Sequence, residues 1–422
     1  GGAMAPGDGG GGGVATFSPT SPLVAALPQP AEKLRGRAFW ESIGSPKLVA
    51  APMVDQSELA FRMLCRKYGT ELAYTPMLHS RLFSESAKYR KDQWSTCKED
   101  RPLFAQFCGD NPETLLAAAQ QLPAGSCDAV DLNLGCPQGI ARKGHYGAFL
   151  LSERDLLESI VRKLDTNLTV PVTVKMRLLS TGDLQDTLAL ASALEAAGAS
   201  AICLHGRTKE MKGQSTGPCD WDAIAAVRRR VSVPLIANGG IQTYDDVARC
   251  LQATGCDAVM SSEALLERPS LFAGGGPSVP QEDLALEYLE LAKRHGTGHK
   301  CVKAHLFHFL YSGLQLHTDL RSELGGAKGF DAMSAVASML RSRRAEDRAQ
   351  GLKWPDTGWY LRYREPLGER KKRKAPEQEQ GEAGAGHPPK ESRMEEATSC
   401  NEASRAGDDA PVSGRSQTAN EE

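Results

Sequence analysis

The sequence predicts an α/β fold, a (β/α)8 TIM barrel followed by a smaller helical domain, with disordered tails at both ends. Three observations carry this. Between about Ser45 and Pro277, short apolar, β-favouring runs alternate with amphipathic helical stretches, the pattern of parallel strands joined by crossover helices. The runs number eight over roughly 230 residues, close to the ~250 typical of the barrel. Polar residues fall at the carboxyl end of nearly every run, where a barrel builds its active site. No Gly-x-Gly-x-x-Gly follows the first run, which disfavours a doubly wound open sheet.

The expected strands are 47–54, 71–78, 102–109, 129–137, 171–178, 201–208, 234–241 and 258–265. Helices fill the gaps. Asn111, Pro112 and Glu113 supply a cap, a first-turn proline and an acid ahead of the apolar run at Leu115. Asp155, Asp186 and the pair Asp245 and Asp246 place acid in the first turn of three others. Gly198 and Gly255 stand where a helix must stop before the next strand. Beyond the barrel, 283–293 reads as an amphipathic helix and 301–320 as another, within a helical domain over 281–345.

Composition sets further limits. The chain has 422 residues, is 41% hydrophobic and carries a formal net charge of -2. A sizeable core is therefore expected, and whole-chain charge does not announce nucleic-acid binding, although a basic face can hide within a balanced total. The 11 cysteines form no Cys-x-x-Cys pair and no zinc-spaced cluster, so reduced thiols are expected rather than a disulfide scaffold or a structural metal. No apolar run is long enough to span a bilayer. Residues 1–34 are Gly- and Pro-rich with no Arg before Arg35, so disorder is expected there, and neither a transit peptide nor a signal peptide. Residues 365–422 are again poor in apolar groups. Arg370, Lys371, Lys372, Arg373 and Lys374 within them read as a solvated charge run, a nuclear-entry signal or an RNA contact. A cytoplasmic protein with access to the nucleus is expected, acting as a monomer.

The strand ends carry the chemistry. In order they present Pro52, Met53 and Val54; Gln106; Asn133 and Cys136; Lys175 and Arg177; His205 and Arg207; Asn238, Gly239 and Gly240; and Ser262 with Glu263. Cys136 lies between Gly135 and Pro137 where a strand stops, so it reads either as a core thiol or as a proton donor or nucleophile. Asn238, Gly239 and Gly240 let backbone approach an anion, and Ser262 and Glu263 open a helix, so a phosphate at the last two loops is expected; an ordinary turn is the alternative. Lys175 offers a positive charge to a cofactor, with hydrogen bonds from His205, Arg207 and Gln106, or else forms a Schiff base assisted by Arg177. His305 and His308 are one turn apart with no third ligand at metal spacing, so no metal is expected. Lys88, Tyr89, Arg90, Lys91 and Trp94 mix basic and aromatic groups, either an RNA-facing rim or a surface loop.

These residues bring a family into view. The stretches 51–55, 106–110, 131–138, 144–150, 174–177, 205–209 and 237–241 resemble the tRNA-dihydrouridine synthases, FMN-dependent barrel enzymes, and most of all the eukaryotic branch acting on D-loop positions 16 and 17. The resemblance covers about Leu48 to Phe272, and more loosely 281–344. It implies reduction of uridine to 5,6-dihydrouridine in tRNA, with NADPH (or NADH) as electron donor. It implies Cys136 as proton donor to C5, and Pro52, Met53, Val54, Gln106, Lys175, His205, Asn238, Gly239 and Gly240 around FMN. Ser262 and Glu263 align with the second phosphate loop, where Glu263 replaces a basic residue; backbone amides are expected to serve there, with Glu263 turned away. Asn133, Arg177 and Arg207 would meet the substrate, with Lys143 and His145 on a loop closing over the base, and the helical domain would grip tRNA. An inactive barrel kept as a tRNA-binding or folding protein is the competing expectation.

Overall fold

The computed structural model describes residues 33–274 and 278–354. The expected N-terminal segment, but for its last two residues, and the charged tail with its basic cluster lie outside the described residues.

The strands are β1 (Leu48–Ala50), β2 (Leu72–Tyr74), β3 (Leu78–His79), β4 (Leu103–Cys108), β5 (Ala129–Leu134), β6 (Val172–Arg177), β7 (Ala199–His205), β8 (Leu235–Asn238) and β9 (Ala258–Ser261). All pair in parallel. β1 lies between β9 and β2, and β2 pairs onward with β4, so eight strands close a ring. The expected strand over 71–78 is interrupted because Pro76 has no N–H for the ladder. It resumes as β3, which pairs Leu78 with Phe107 beyond the end of β2.

Register decides what meets at the barrel mouth. Gln106 lies opposite Asp131, Asn133 opposite Lys175, Arg177 opposite His205, and His205 opposite Asn238. Polar side chains from five consecutive strands thus arrive together at the carboxyl end. Below them Val49, Leu72, Tyr74, Phe104, Cys203, Ile236 and Met260 fill the interior. The helix Gly36–Ser42 closes the other end with buried Phe39 and Trp40, the Phe39 ring stacking 5.8 Å from Phe104. A seven-residue helix with one apolar pair has no period to read, so this plug was not expected from sequence.

The outer helices follow their signals. Asn111 Oδ1 accepts the Thr114 N–H at 2.9 Å to cap Pro112–Gln120, and Gly255 ends Asp245–Thr254 at φ 65°. Gly198 (φ 117°) sits so near Asp165 that a Cβ there would lie 2.8 Å from its side chain. After the barrel come helices Gln281–His295, His299–Phe309, Tyr311–Leu316, Thr318–Gly326 and Phe330–Ala349. The single helix expected over 301–320 is broken at Leu310 and His317. Its partners are remote: His317 Nε2 pairs with Asp347 at 2.9 Å, and Trp354 packs where a Gly313 Cβ would be. The described residues from Leu34 onward form one compact unit, in which Tyr288, Phe309 and Leu340 extend the core around the barrel.

Candidate active site

A cleft of about 1470 Å³ opens at the barrel mouth and runs beneath the C-terminal helices. Pro52, Val54, Pro76, Met77, Gln106, Asn133, Gly135, Cys136 and Lys175 form its floor. Trp94 and Lys91 form one wall, and His299, Lys300, Cys301, Lys303 and Phe307 the other. Met53 packs into the core beside this floor.

Cys136 is held by its neighbours on every side. Its backbone N–H and that of Gly135 donate to Asn133 Oδ1 at 3.0 and 3.1 Å. The Cys136 carbonyl accepts from Ala148, and Gly147 (φ 70°) crosses so closely that a Cβ there would lie 2.7 Å from that oxygen. Arg177 Nε donates to the Gly135 carbonyl at 2.8 Å and its Nη1 to the Thr208 carbonyl at 2.9 Å, tying the cysteine turn to the loop after β7. Lys212 from that loop donates to the Pro137 carbonyl. Burial pushes the Cys136 thiol up, against a backbone bond from Gln138 and the charges of Arg177, Lys175 and Lys212. It is therefore a protonated thiol at neutral pH, suited to giving a proton.

Beside it runs a buried chain of amides. Thr173 Oγ1 and Gln106 Nε2 donate to Asp131 at 2.6 and 2.8 Å, and Asn133 Nδ2 donates to Gln106 Oε1 at 2.8 Å. Lys175 Nζ donates to Asn238 Oδ1 at 2.9 Å, and Asn238 Nδ2 to the Met260 carbonyl at 3.1 Å. Burial pulls Lys175 down, with Arg177 adding to the effect. His205 is pulled well below its ordinary range by burial and by the charges of Arg177, Lys175 and Arg207. Arg207 Nη1 lies 3.1 Å from His205 Nε2. Arginine can only donate, so Nε2 accepts and the single ring proton sits on Nδ1.

The Asn238 loop fits an anion-bearing cofactor. Gly239 and Gly240 have φ of 105° and 83°; a Cβ on Gly239 would lie 2.9 Å from both Cys219 Sγ and His205, and one on Gly240 3.0 Å from Trp221. Trp221 Nε1 holds the Gly239 carbonyl at 3.0 Å, which fixes the bared backbone. Ser262 precedes the short helix Glu263–Glu267, and Glu263 is exposed.

Several expected roles look different in place. Arg177 and Arg207 are buried and do not line the cleft, and Arg207 Nε donates to the Gly217 carbonyl at 3.1 Å, so both guanidinia brace backbone. His145, at φ 50°, is exposed between Asp110 and Glu153, 2.7 Å from each, which pushes it up; Lys143 ends a helical turn over Gly139–Lys143. Neither lines the cleft. Spacing supplied no partners for His305, yet Glu58 and Cys301 reach it, their ligand atoms lying within 4.8 Å of one another. These atoms bond protein: His305 Nε2 to Glu58 at 3.0 Å, Tyr288 Oη to Glu58 at 2.7 Å, and Cys301 Sγ to the Asp55 carbonyl at 3.0 Å. His305 Nδ1 is buried without a partner, whereas a ligating histidine has an acceptor there. Asp131, Thr173, Lys212 and Glu58 were not singled out from sequence. A lone carboxylate in a strand whose other residues are apolar but for Asn133 was the one available signal, at Asp131.

The model of the dihydrouridine synthase (Dus) family matches residues 48–342, the whole barrel and nearly all of the C-terminal helices. The chain belongs to the dihydrouridine synthase family. A mouse relative, tRNA-dihydrouridine(16/17) synthase [NAD(P)(+)]-like, is 46% identical over 321 residues, 75% of this chain and 66% of that protein. The chain thus spans just under two thirds of the mouse relative's length. The tRNA-dihydrouridine(16/17) synthases of Schizosaccharomyces pombe and Saccharomyces cerevisiae are 44% and 46% identical, over 76% and 69% of this chain and 84% and 72% of theirs. In this member of the family the motif cysteine, lysine and asparagine all stand at one barrel mouth. No helix among the described residues is long and apolar enough to cross a membrane.

Proposed function

We propose that this protein reduces uridine to 5,6-dihydrouridine in tRNA, at D-loop positions 16 and 17, with FMN as its cofactor and NADPH as electron donor. The observation that carries this is Cys136, a half-buried protonated thiol at the floor of a cleft it shares with Lys175, Asn133 and Gln106. Held beside Lys175 and Gln106, reduced FMN would supply the hydride for C6 of the uracil. The protein does the rest. Cys136 gives its proton to C5, where negative charge gathers as C6 is reduced. Lys175 places positive charge beside the cofactor, and the free amide protons of Gln106 and Asn133 face the ring and the base. Gly239 and Gly240 offer backbone to the phosphate, with His205 neutral and Arg207 beside it. The base reaches this floor only when turned out of the RNA stack. Lys91, Lys300 and Lys303 on the cleft rim are positioned for phosphates. Cytoplasm and nucleus remain the proposed locations.

The test is direct: purified protein with FMN, NADPH and unmodified tRNA, followed by nucleoside mass spectrometry with position mapping. Dihydrouridine at 16 and 17 supports the proposal. Oxidation of NADPH without dihydrouridine overturns it.

A further inference from the structure

We propose that Asp131 is a positioning residue whose carboxylate fixes which way the amides of Gln106 and Asn133 face, and through them the Cys136 turn. The inference rests on the proposed reaction for its meaning but not for its geometry. Asp131 is fully buried beneath the cleft and touches it only through Gln106.

The polarity follows from donor and acceptor identity alone. A carboxylate only accepts, so the Gln106 group facing Asp131 at 2.8 Å must be its NH2. Gln106 Oε1 then faces Asn133, whose NH2 donates at 2.8 Å. Asn133 Oδ1 is left for the backbone N–H groups of Gly135 and Cys136, which can only donate. The chain is closed by an acceptor at one end and by donors at the other. Turning Gln106 sets acceptor against acceptor at Asp131 and donor against donor at Asn133, and turning Asn133 sets donor against donor at Gly135 and Cys136. Each amide keeps one spare N–H for the cleft, so Asp131 also decides that a bound ring or base meets donors there.

Burial pushes Asp131 up to about 6, against bonds from Thr173 and Gln106 and the charge of Lys175. The other titratable groups facing it are Tyr74 and Cys203, both pushed far above neutrality by burial, and Lys175. A proton on Asp131 supplies an O–H that accommodates the flipped amide. Acid therefore loosens the Asp131 end of the chain, and Asp131→Asn loosens it at every pH, leaving the Gly135 and Cys136 N–H groups to hold Asn133 alone.

The test uses FMN-free protein, with iodoacetamide labelling of Cys136 followed by peptide mass spectrometry. At pH 7.5 Asp131→Asn is expected to label about fivefold faster than wild type. The ratio of the two rates should fall toward one as pH drops through about 6 and wild-type Asp131 takes up its own proton. In the FMN-loaded enzyme, reduction by NADPH should stay within about twofold while reoxidation by tRNA slows about tenfold. Thr173→Val serves as a second variant should Asp131→Asn fail to fold. It deletes one donor to Asp131 at constant volume and should move the pH of that convergence upward. Equal labelling rates at all pH values in the variants overturn the inference. A wild type that tRNA cannot reoxidise overturns the proposed reaction instead, and leaves the labelling ratio to judge Asp131.

Discussion

Asp100→Asn tests how one wall of the cleft is held. Asp100 is fully buried and accepts from Arg62 Nε and Nη2 at 2.9 and 2.6 Å and from Arg66 Nε at 2.9 Å. Arg62 is 1% exposed and also holds the Ser95 carbonyl at 2.7 Å, in the segment that lines the cleft next to Trp94. Removing the one negative charge leaves two guanidinia in the interior with no counter-ion. Breaking a buried pair this way costs about 3–5 kcal/mol. The Ser57, Ser95 and Pro102 carbonyls still accept from these guanidinia, which argues for the lower figure. A loss of ~3 kcal/mol corresponds to roughly 4–5 °C in Tm for a unit of this size at ~2.1 cal/mol/K per residue. The pH dependence has a definite sign. Burial raises the Asp100 carboxyl, but Arg62 and Arg66 outweigh it and hold it below its ordinary value. Its contribution is thus complete above the unfolded value near 4 and is lost only as pH falls through the folded value. Urea denaturation of wild type and variant, followed by circular dichroism from pH 3 to 7, gives the difference. The exposed control Asp92→Asn should change stability by less than about 0.5 kcal/mol. A deficit under about 1 kcal/mol at pH 7, or one that shrinks well above pH 5, would refute the reasoning.

Three further outcomes are expected. The Cys136 thiol is raised by burial, so the alkaline loss of tRNA-dependent flavin reoxidation should fall above the ordinary thiol value near 8.5; a limb at or below it removes the buried-acid reading. Gly239→Ala forces a side chain to φ 105° and against Cys219 and His205, and should weaken FMN binding at least about tenfold by fluorescence titration. Unchanged affinity would place the phosphate elsewhere. Glu58→Gln removes the charge beside His305 and should lower Tm by a few degrees, about 1–3 kcal/mol, without altering flavin reduction by NADPH.

The barrel was legible because strand and helix periods, caps and turn glycines are local signals, and the active end follows once the fold is known. The motif residues at the strand ends were legible for the same reason. What sequence hid are partners that only closure brings together. Glu58 and His305 are 247 residues apart, and Asp131 meets Thr173 across 42. Arg177 reads as a substrate ligand from its type, but backbone carbonyls take its hydrogen bonds and leave no mark in the sequence. His145 reads as a closing-loop residue until Asp110 and Glu153 are seen beside it. Pro76 breaking β2 from β3 was visible in the sequence, and the apolar flanks outweighed it.

The most direct test of the proposed chemistry is Cys136→Ala, assayed on one FMN-loaded preparation by two half-reactions. Reduction of the flavin by NADPH should be unchanged, while dihydrouridine formed in tRNA, counted by mass spectrometry, should fall about 10²- to 10⁴-fold. Dihydrouridine forming at the wild-type rate would contradict the assignment of Cys136 as proton donor.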